Sequence, residues 1–310
     1  VTRQQPGGAD DLRRSVLRRL SDAGVASPGV DAADIVAHVL GVEPGRLLLI
    51  DEVSAADRAR VEEATARRVR RVPLQHITGL AYFAGLELTV GPGVFIPRPE
   101  TELLVEWAVS RIAEIRRSGR DRVSVVDLCS GSGALALAIA TSAPSTTAVA
   151  VEVSATAGEY LQGNIDRLGL ANRVRLLHAD ATDPDVVGPL LANADVVVSN
   201  PPYVPASAEV SPEVVHDPPT AVFSGDTGMD LIDALAPVLA THLRPGVPVA
   251  IEHDDTTAPR VCDALMRTGG FEQVQSHRDL AGRPRFVSAV RRPGRGSAAS
   301  PDDCVEGWDG

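Results

Sequence analysis

Lysine is absent from the 310-residue chain; all 30 basic residues are arginine, a bias of composition rather than a clue to chemistry. Positive charge is also scarce. Against 41 acidic residues it leaves a net charge of −11 and a pI near 5.1. A protein whose main task is to grip nucleic acid carries the opposite balance, so direct nucleic-acid binding is not expected unless a basic patch is concentrated locally. Cysteine is rare: Cys129, Cys262 and Cys304 are odd in number and far apart, which leaves neither a disulfide framework nor a metal-ligand spacing. Isolated thiols fit a reducing cytosol, so a cytoplasmic location is expected and no metal is. No apolar run reaches the length of a membrane span, and the polar N-terminus lacks the apolar stretch of a signal peptide. No internal repeat is present.

What is there is ordinary globular material, 44% hydrophobic and 23% charged, of a length that suits two domains or one large domain with an appendage. Residues 1–9 read as disordered. Residues 1–71 form an N-terminal helical domain: Leu12, Val16, Leu17 and Leu20 recur at helical spacing, Asp31 is placed to cap a helix through Ile35, Val36, Val39 and Leu40 that stops at Gly41, and Ser54 with Asp57 resembles a capping box opening a third helix that runs to about Arg71. Its core is small for independent stability; the unit reads as a solvated helical appendage or, given the motifs that follow, as a module that docks a macromolecule. Residues 72–99 are a linker with a β-hairpin over Tyr82–Val90, turning near Gly85, followed by a stiff connector with Pro92, Pro97 and Pro99. A helix with acids in its first turn starts near Pro99.

From 100 to 291 short apolar runs alternate with helical segments. Strands are predicted at 124–128, 147–151, 173–177, 195–199 and 247–252, helices at 132–140, 154–168, 228–242 and 256–267, and a closing strand pair at 270–276 and 285–290. That order specifies an α/β fold, an open parallel sheet covered on both faces. The tail, 292–310, reads as disordered.

In such a sheet ligands lie at the carboxyl ends of the strands, where strand order reverses. Four polar features fall there. Asp127 precedes Cys129-Ser130-Gly131-Ser132-Gly133, a glycine loop at a strand-to-helix junction where backbone can approach a ligand closely. The loop also fits a dinucleotide pyrophosphate, but Asp127 adds negative charge and better suits a ligand ammonium group. Glu152 ends the second strand, where a carboxylate can accept from both ribose hydroxyls. Asp180 and Ala181 follow the third, at the place for an adenine edge. Asn200-Pro201-Pro202-Tyr203 follows the fourth. The prolines stiffen the backbone, and the Asn amide beside an aromatic ring suits a planar –NH2 group.

Together with Pro73–Gly79, Phe95-Ile96-Pro97-Arg98-Pro99-Glu100-Thr101-Glu102 and Asp279–Arg283, these motifs make residues 10–291 resemble the HemK-type protein-(glutamine-N5) methyltransferases of peptide chain release factors. The Asn-Pro-Pro-Tyr motif is shared with amino-methylating DNA enzymes, so an N6-adenine or N4-cytosine DNA methyltransferase is the alternative. The Phe95–Glu102 stretch is far more particular and favours the protein substrate. The resemblance implies a class I S-adenosylmethionine-dependent methyltransferase domain, Rossmann-like with a seven-stranded sheet. Its cofactor would be S-adenosyl-L-methionine, its product S-adenosyl-L-homocysteine, and its acceptor the Gln of a Gly-Gly-Gln loop in a release factor that acts in translation termination. It also implies the site roles. Cys129 to Gly133 would wrap the methionine part of the cofactor, Glu152 would hold the ribose, and Asp180 and Ala181 would flank the adenine. Asn200 would touch cofactor and substrate amide, with Pro201, Pro202 and Tyr203 completing the substrate site. A monomer without membrane attachment is expected. Three positions depart from the family pattern. Cys129 replaces a frequent Gly, which is expected to be harmless. Glu152 replaces Asp, adding a methylene. Glu252-His253-Asp254-Asp255 replaces a Gly-containing continuation and carries no assigned role.

Overall fold

A computed structural model describes residues 7–293. The reading of residues 1–6 and 294–310 as disordered falls outside that range. Residues 7–9 are ordered, contrary to expectation: helix α1 (Ala9–Asp22) begins there because Ala9 is fully buried and its N–H donates to the carbonyl of Ile50.

The helical unit contains α1, α2 (Pro28–Leu40), a 3-10 turn over Pro44–Leu49, α3 (Ala55–Val69) and the short α4 (Leu74–Thr78). Its core joins Val16, Leu20, Ile35, Val36, Leu47 and Val61. Ser54 caps α3 by accepting the Asp57 N–H, and Gly41 ends α2 in the left-handed conformation, both as read from sequence. Asp31 does not cap α2. The helix starts three residues earlier at Pro28, and Asp31 is buried in its first turn, where it accepts Arg68 Nε at 2.6 Å. Arg68 and Arg71 also grip Glu213, at 3.1 and 2.7 Å, tying the helical unit to the segment that follows Tyr203.

The hairpin pairs β1 (Leu80–Phe83) with β2 (Leu86–Thr89). Ala84 and Gly85 both have positive φ, as a two-residue turn of the right twist requires, and Glu102 accepts the Ala84 N–H at 2.9 Å. The connector then enters a 3-10 turn, Pro99–Thr101, and α5 (Glu102–Arg117).

The main sheet is built in chain order from β3 (Val123–Leu128), α6 (Ala134–Ser142), β4 (Thr146–Glu152), α7 (Ala155–Arg167), β5 (Val174–His178), α8 (Pro184–Leu191), β6 (Val196–Ser199), α9 (Pro219–Val222), α10 (Asp230–His242), β7 (Pro248–Glu252), α11 (Ala258–Arg267), β8 (Phe271–Arg278) and β9 (Pro284–Arg291). Seven strands lie in the order β5-β4-β3-β6-β7-β9-β8, parallel except for β9, which is antiparallel to both β7 and β8. β3 and β6 read as mostly apolar runs, interrupted in β3 by Ser124 and Asp127, because helices bury both faces of the sheet. The order reverses between β3 and β6, and the crevice opens at their carboxyl ends. Among the described residues no helix is long and apolar enough to cross a membrane.

Candidate active site

A cavity of about 430 Å³ lies over that switch point. It is lined by Cys129, Ser130, Gly131 and Ser132 from the β3–α6 loop, Glu152 from β4, Asp180 and Ala181 after β5, and Asn200, Pro201, Pro202 and Tyr203 after β6. The strand ends thus bring nearly every residue singled out from sequence to one space. Two do not reach it. Gly133 is absent from the lining; it has φ +85°, and a Cβ there would overlap Leu161 Cδ1, so it serves the close packing of loop on α7. Asp127, expected to meet an ammonium group, is fully buried beneath the loop. Its Oδ2 accepts the Ala136 N–H at 3.1 Å while Oδ1 has no partner, and burial pushes the carboxyl up to about 7.

The loop is held by side chains from below. Ser130 Oγ donates to the Asp127 carbonyl at 2.8 Å, and the Gly131 N–H donates to Glu152 Oε2 at 2.8 Å. Gly131 has φ +55°, and a Cβ there would meet nothing within 4 Å. Cys129 has φ +63°, so the replacement of Gly is not harmless: a side chain held in the left-handed region costs about 1 kcal/mol. Burial and the carboxylates around it push its thiol pKa upward, away from the thiolate form.

Glu152 is buried, and its longer side chain lets both oxygens turn back on the backbone, Oε1 accepting the Ser154 N–H at 2.7 Å. Each carboxylate oxygen keeps a second lone pair. Asp180 is exposed; its Oδ1 accepts from the Thr182 N–H and hydroxyl, at 2.8 and 2.7 Å. Across the cavity, Asn200 Nδ2 donates to Thr101 Oγ1 at 3.2 Å, and the Tyr203 hydroxyl donates to Glu252 Oε1 at 3.1 Å. Burial and the neighbouring Glu252 raise the Tyr203 pKa well above its ordinary range, keeping the phenol protonated.

An acceptor pair on Glu152, an open glycine backbone, a half-used carboxylate at Asp180 and an apolar lining together fit a nucleoside ligand carrying a diol, an adenine and a polar tail. The fit to S-adenosylmethionine is therefore chemical as well as positional.

From sequence the stiff connector could equally be a plain linker or, through Phe95 and Arg98, the wall of a pocket; Phe95 and Arg98 line the cavity, the guanidinium 5.1 Å from the ring centroid. Arg98 also pairs at 2.7 Å with buried Asp217, whose carboxyl burial raises to about 6 against the pull of Arg98. Val210, Val214, Thr220 and Val222, from the segment between Tyr203 and α10, close one side. No motif marks that segment; only its position after Asn-Pro-Pro-Tyr could have pointed to it. Gly228 was also passed over. It has φ +75°, and a Cβ on it would overlap the Tyr203 carbonyl oxygen.

Comparison with known proteins agrees with this geometry. The profile for the PrmC N-terminal domain matches residues 11–79, and that for the methyltransferase small domain matches residues 101–221. A release factor glutamine methyltransferase of Mycolicibacterium smegmatis is 48% identical over 88% of this chain and 94% of its own length. One from Corynebacterium glutamicum is 47% identical over 89% and 96%. Among solved structures, the hMettl16 catalytic domain in complex with the MAT2A 3′UTR hairpin 6 superposes with a TM-score of 0.51, at 13% identity over 77% of this chain and 82% of that one, a likeness of fold alone. The fold is that of the class I S-adenosylmethionine-dependent methyltransferases, with a small helical domain in front, and the chain belongs to the release factor glutamine methyltransferase family.

Proposed function

We propose that this protein transfers a methyl group from S-adenosylmethionine to the side-chain nitrogen (N5) of the glutamine in the Gly-Gly-Gln loop of a peptide chain release factor. The observation that carries the reading is the meeting of Asn200–Tyr203 with the glycine loop and Glu152 in one cavity, in a chain whose relatives are named release factor glutamine methyltransferases. Those relatives favour protein glutamine over a DNA base as acceptor. A translation factor as substrate fits a cytoplasmic location.

When bound, the cofactor supplies an electrophilic methyl on a sulfonium. The chain's own residues must solve the other half of the problem, which is a poor nucleophile: an amide nitrogen shares its lone pair with its carbonyl. Asn200 Oδ1 and the Pro201 carbonyl would accept the two N–H bonds of the substrate amide and aim the nitrogen at the methyl. Such orientation supplies several kcal/mol, about 7–11 at the extreme. The same two acceptors stabilise the positive charge that develops on nitrogen, the reverse in sign of an oxyanion hole. Tyr203 would pack on the flat amide. Glu152 would bind the ribose, Cys129–Ser132 the methionine part, and Asp180 and Ala181 the adenine. The helical unit would dock the substrate protein.

Labelled S-adenosylmethionine, offered with release factor or with duplex DNA and followed by mapping of the labelled atom, tests the reading. Label on glutamine N5 is expected; label on an exocyclic base nitrogen would overturn it. Asn200→Ala is expected to abolish transfer while keeping most of the cofactor affinity.

A further inference from the structure

Resting on the function just stated, we propose that Thr101 and Glu252 are positioning residues that lock the rotation of the Asn200 amide, so that its oxygen and not its nitrogen faces the acceptor glutamine. An Asn amide has two ends of nearly equal size, and rotation by half a turn would present –NH2 to a substrate –NH2 and abolish the acceptor pair. The two prolines fix the backbone of Asn200 but not this rotation.

The fixing comes from two other parts of the chain. Glu252 ends β7 and is 2% exposed. The register pairs Ser199 with Ile251, so Asn200 and Glu252 follow side by side at the crevice. Thr101, also 2% exposed, closes the proline-rich connector. Thr101 Oγ1 lies 3.1 Å from Glu252 Oε1 and 3.2 Å from Asn200 Nδ2. The Tyr203 hydroxyl reaches the same Glu252 oxygen at 3.1 Å.

One assignment of the protons satisfies all of these distances. Glu252 Oε1 accepts from both hydroxyls; burial lifts this carboxyl to about 7, and a proton it takes up goes to Oε2, which makes no other bond among the described residues. The Thr101 hydroxyl has a single proton and spends it on Glu252, so toward Asn200 it can only accept. Asn200 must then turn its –NH2 to Thr101, which leaves Oδ1 on the cavity side. One buried carboxyl group thereby sets the direction of the Asn200 amide through Thr101 and holds the Tyr203 ring by its hydroxyl.

The test compares wild type, Thr101→Val, Thr101→Ser, Glu252→Leu and the Thr101→Val/Glu252→Leu double variant of the full chain. Single-turnover transfer to release factor is measured at saturating cofactor, beside calorimetric S-adenosylmethionine affinity and thermal unfolding. Thr101→Val, which keeps the shape and removes the hydroxyl, is expected to slow the transfer step roughly 10- to 100-fold with cofactor affinity and release-factor KM little changed. Thr101→Ser is expected to regain most of the rate. The double variant should be no slower than Glu252→Leu alone, because the two act in one chain of bonds. Wild-type transfer by Thr101→Val, a Thr101→Ser variant as slow as Thr101→Val, or additive losses in the double variant would each overturn the proposal. If wild type leaves release factor unmethylated, the functional reading fails and the lock is judged separately by the Asn200 side-chain –NH2 resonances, identified by their loss in Asn200→Asp. Slow exchange in wild type and Thr101→Ser but not in Thr101→Val supports the lock, and identical exchange in all three refutes it.

Discussion

Replacing Glu152 by Gln separates its duty in the fold from the ribose contact proposed for it. In the folded chain its oxygens accept the Gly131 N–H at 2.8 Å and the Ser154 N–H at 2.7 Å, and the remaining lone pairs are available to a ribose diol. Gln is nearly isosteric but has one oxygen. Whichever way its amide turns, one of the two backbone N–H groups faces an –NH2. A buried donor left unpaired costs about 1–3 kcal/mol, and this loss falls on the protein with or without cofactor. At about 2–4 °C per kcal/mol for a domain of this size, thermal unfolding should drop by several degrees. The second loss falls on binding alone. A diol that met a carboxylate now meets a neutral amide, and hydrogen bonds to a charged group contribute about 1.5–3 kcal/mol. At 1.4 kcal/mol per tenfold, S-adenosylmethionine should bind roughly 10- to 100-fold more weakly. Titration calorimetry with S-adenosylmethionine and with S-adenosylhomocysteine should give equal losses, because both carry the ribose. A variant with lowered Tm and unchanged affinity for both would show that Glu152 only ties the loop down, and the ribose assignment would fall.

Asp127→Asn tests the buried carboxyl under the loop. Between its ordinary value of 3.8 and about 7 the folded Asp127 holds a proton that the unfolded chain has released, so its contribution to stability falls as pH rises through that window and levels off above it, by up to about 1.4 kcal/mol per pH unit. Asn cannot titrate, so the stability difference between variant and wild type, read by chemical denaturation, should move in favour of the variant from acid to neutral pH; a difference independent of pH would mean that Asp127 is ionised in the fold. Gly228→Ala should cut transfer sharply while sparing cofactor affinity, because the new Cβ overlaps the Tyr203 carbonyl oxygen and must push the acceptor turn aside; normal single-turnover rates would show that the turn tolerates the shift.

The sheet was legible because parallel strands buried on both faces are mostly apolar runs, and because each run ends in a turn with a distinct polar residue. Helix α8 was not. Pro184 and Pro189 interrupt its pattern, yet Pro184 stands at the first helical position where no N–H is needed, and Pro189 leaves few helical bonds unmade in so short an element. The five-residue α4 is too short to show a period. Asp31 looked like a cap because an acid before an apolar run usually is one; the pairing with Arg68, 37 residues away, gave it another use. Cys129 passed as a small substitute for Gly because size is visible in a sequence and φ is not.

The same distinction explains the site. Residues that offer backbone, such as Gly131 and Pro201, announce themselves, because Gly and Pro change what the chain can do locally. The direction of a side chain is set by whatever packs against it, and for Asn200 that is a threonine 99 residues earlier and a carboxyl at the end of the next strand. The Phe95–Glu102 stretch had distinguished a protein acceptor from a DNA base by resemblance, with no physical reason attached. The structure gives that stretch a place in the site. The proline-rich connector lines the cavity with Phe95 and Arg98, holds the hairpin turn through Glu102 and delivers Thr101 to Asn200. Beyond Tyr203, Arg98 reaches Asp217, while Arg68 and Arg71 of the helical unit reach Glu213. The segment that walls the cavity is thus held both by its own backbone bonds, such as Val204 N–H to the Val222 carbonyl, and by the helical unit and connector outside the sheet. The half of the site proposed for the cofactor, by contrast, rests on adjacent strand ends, and that is the half a sequence can display.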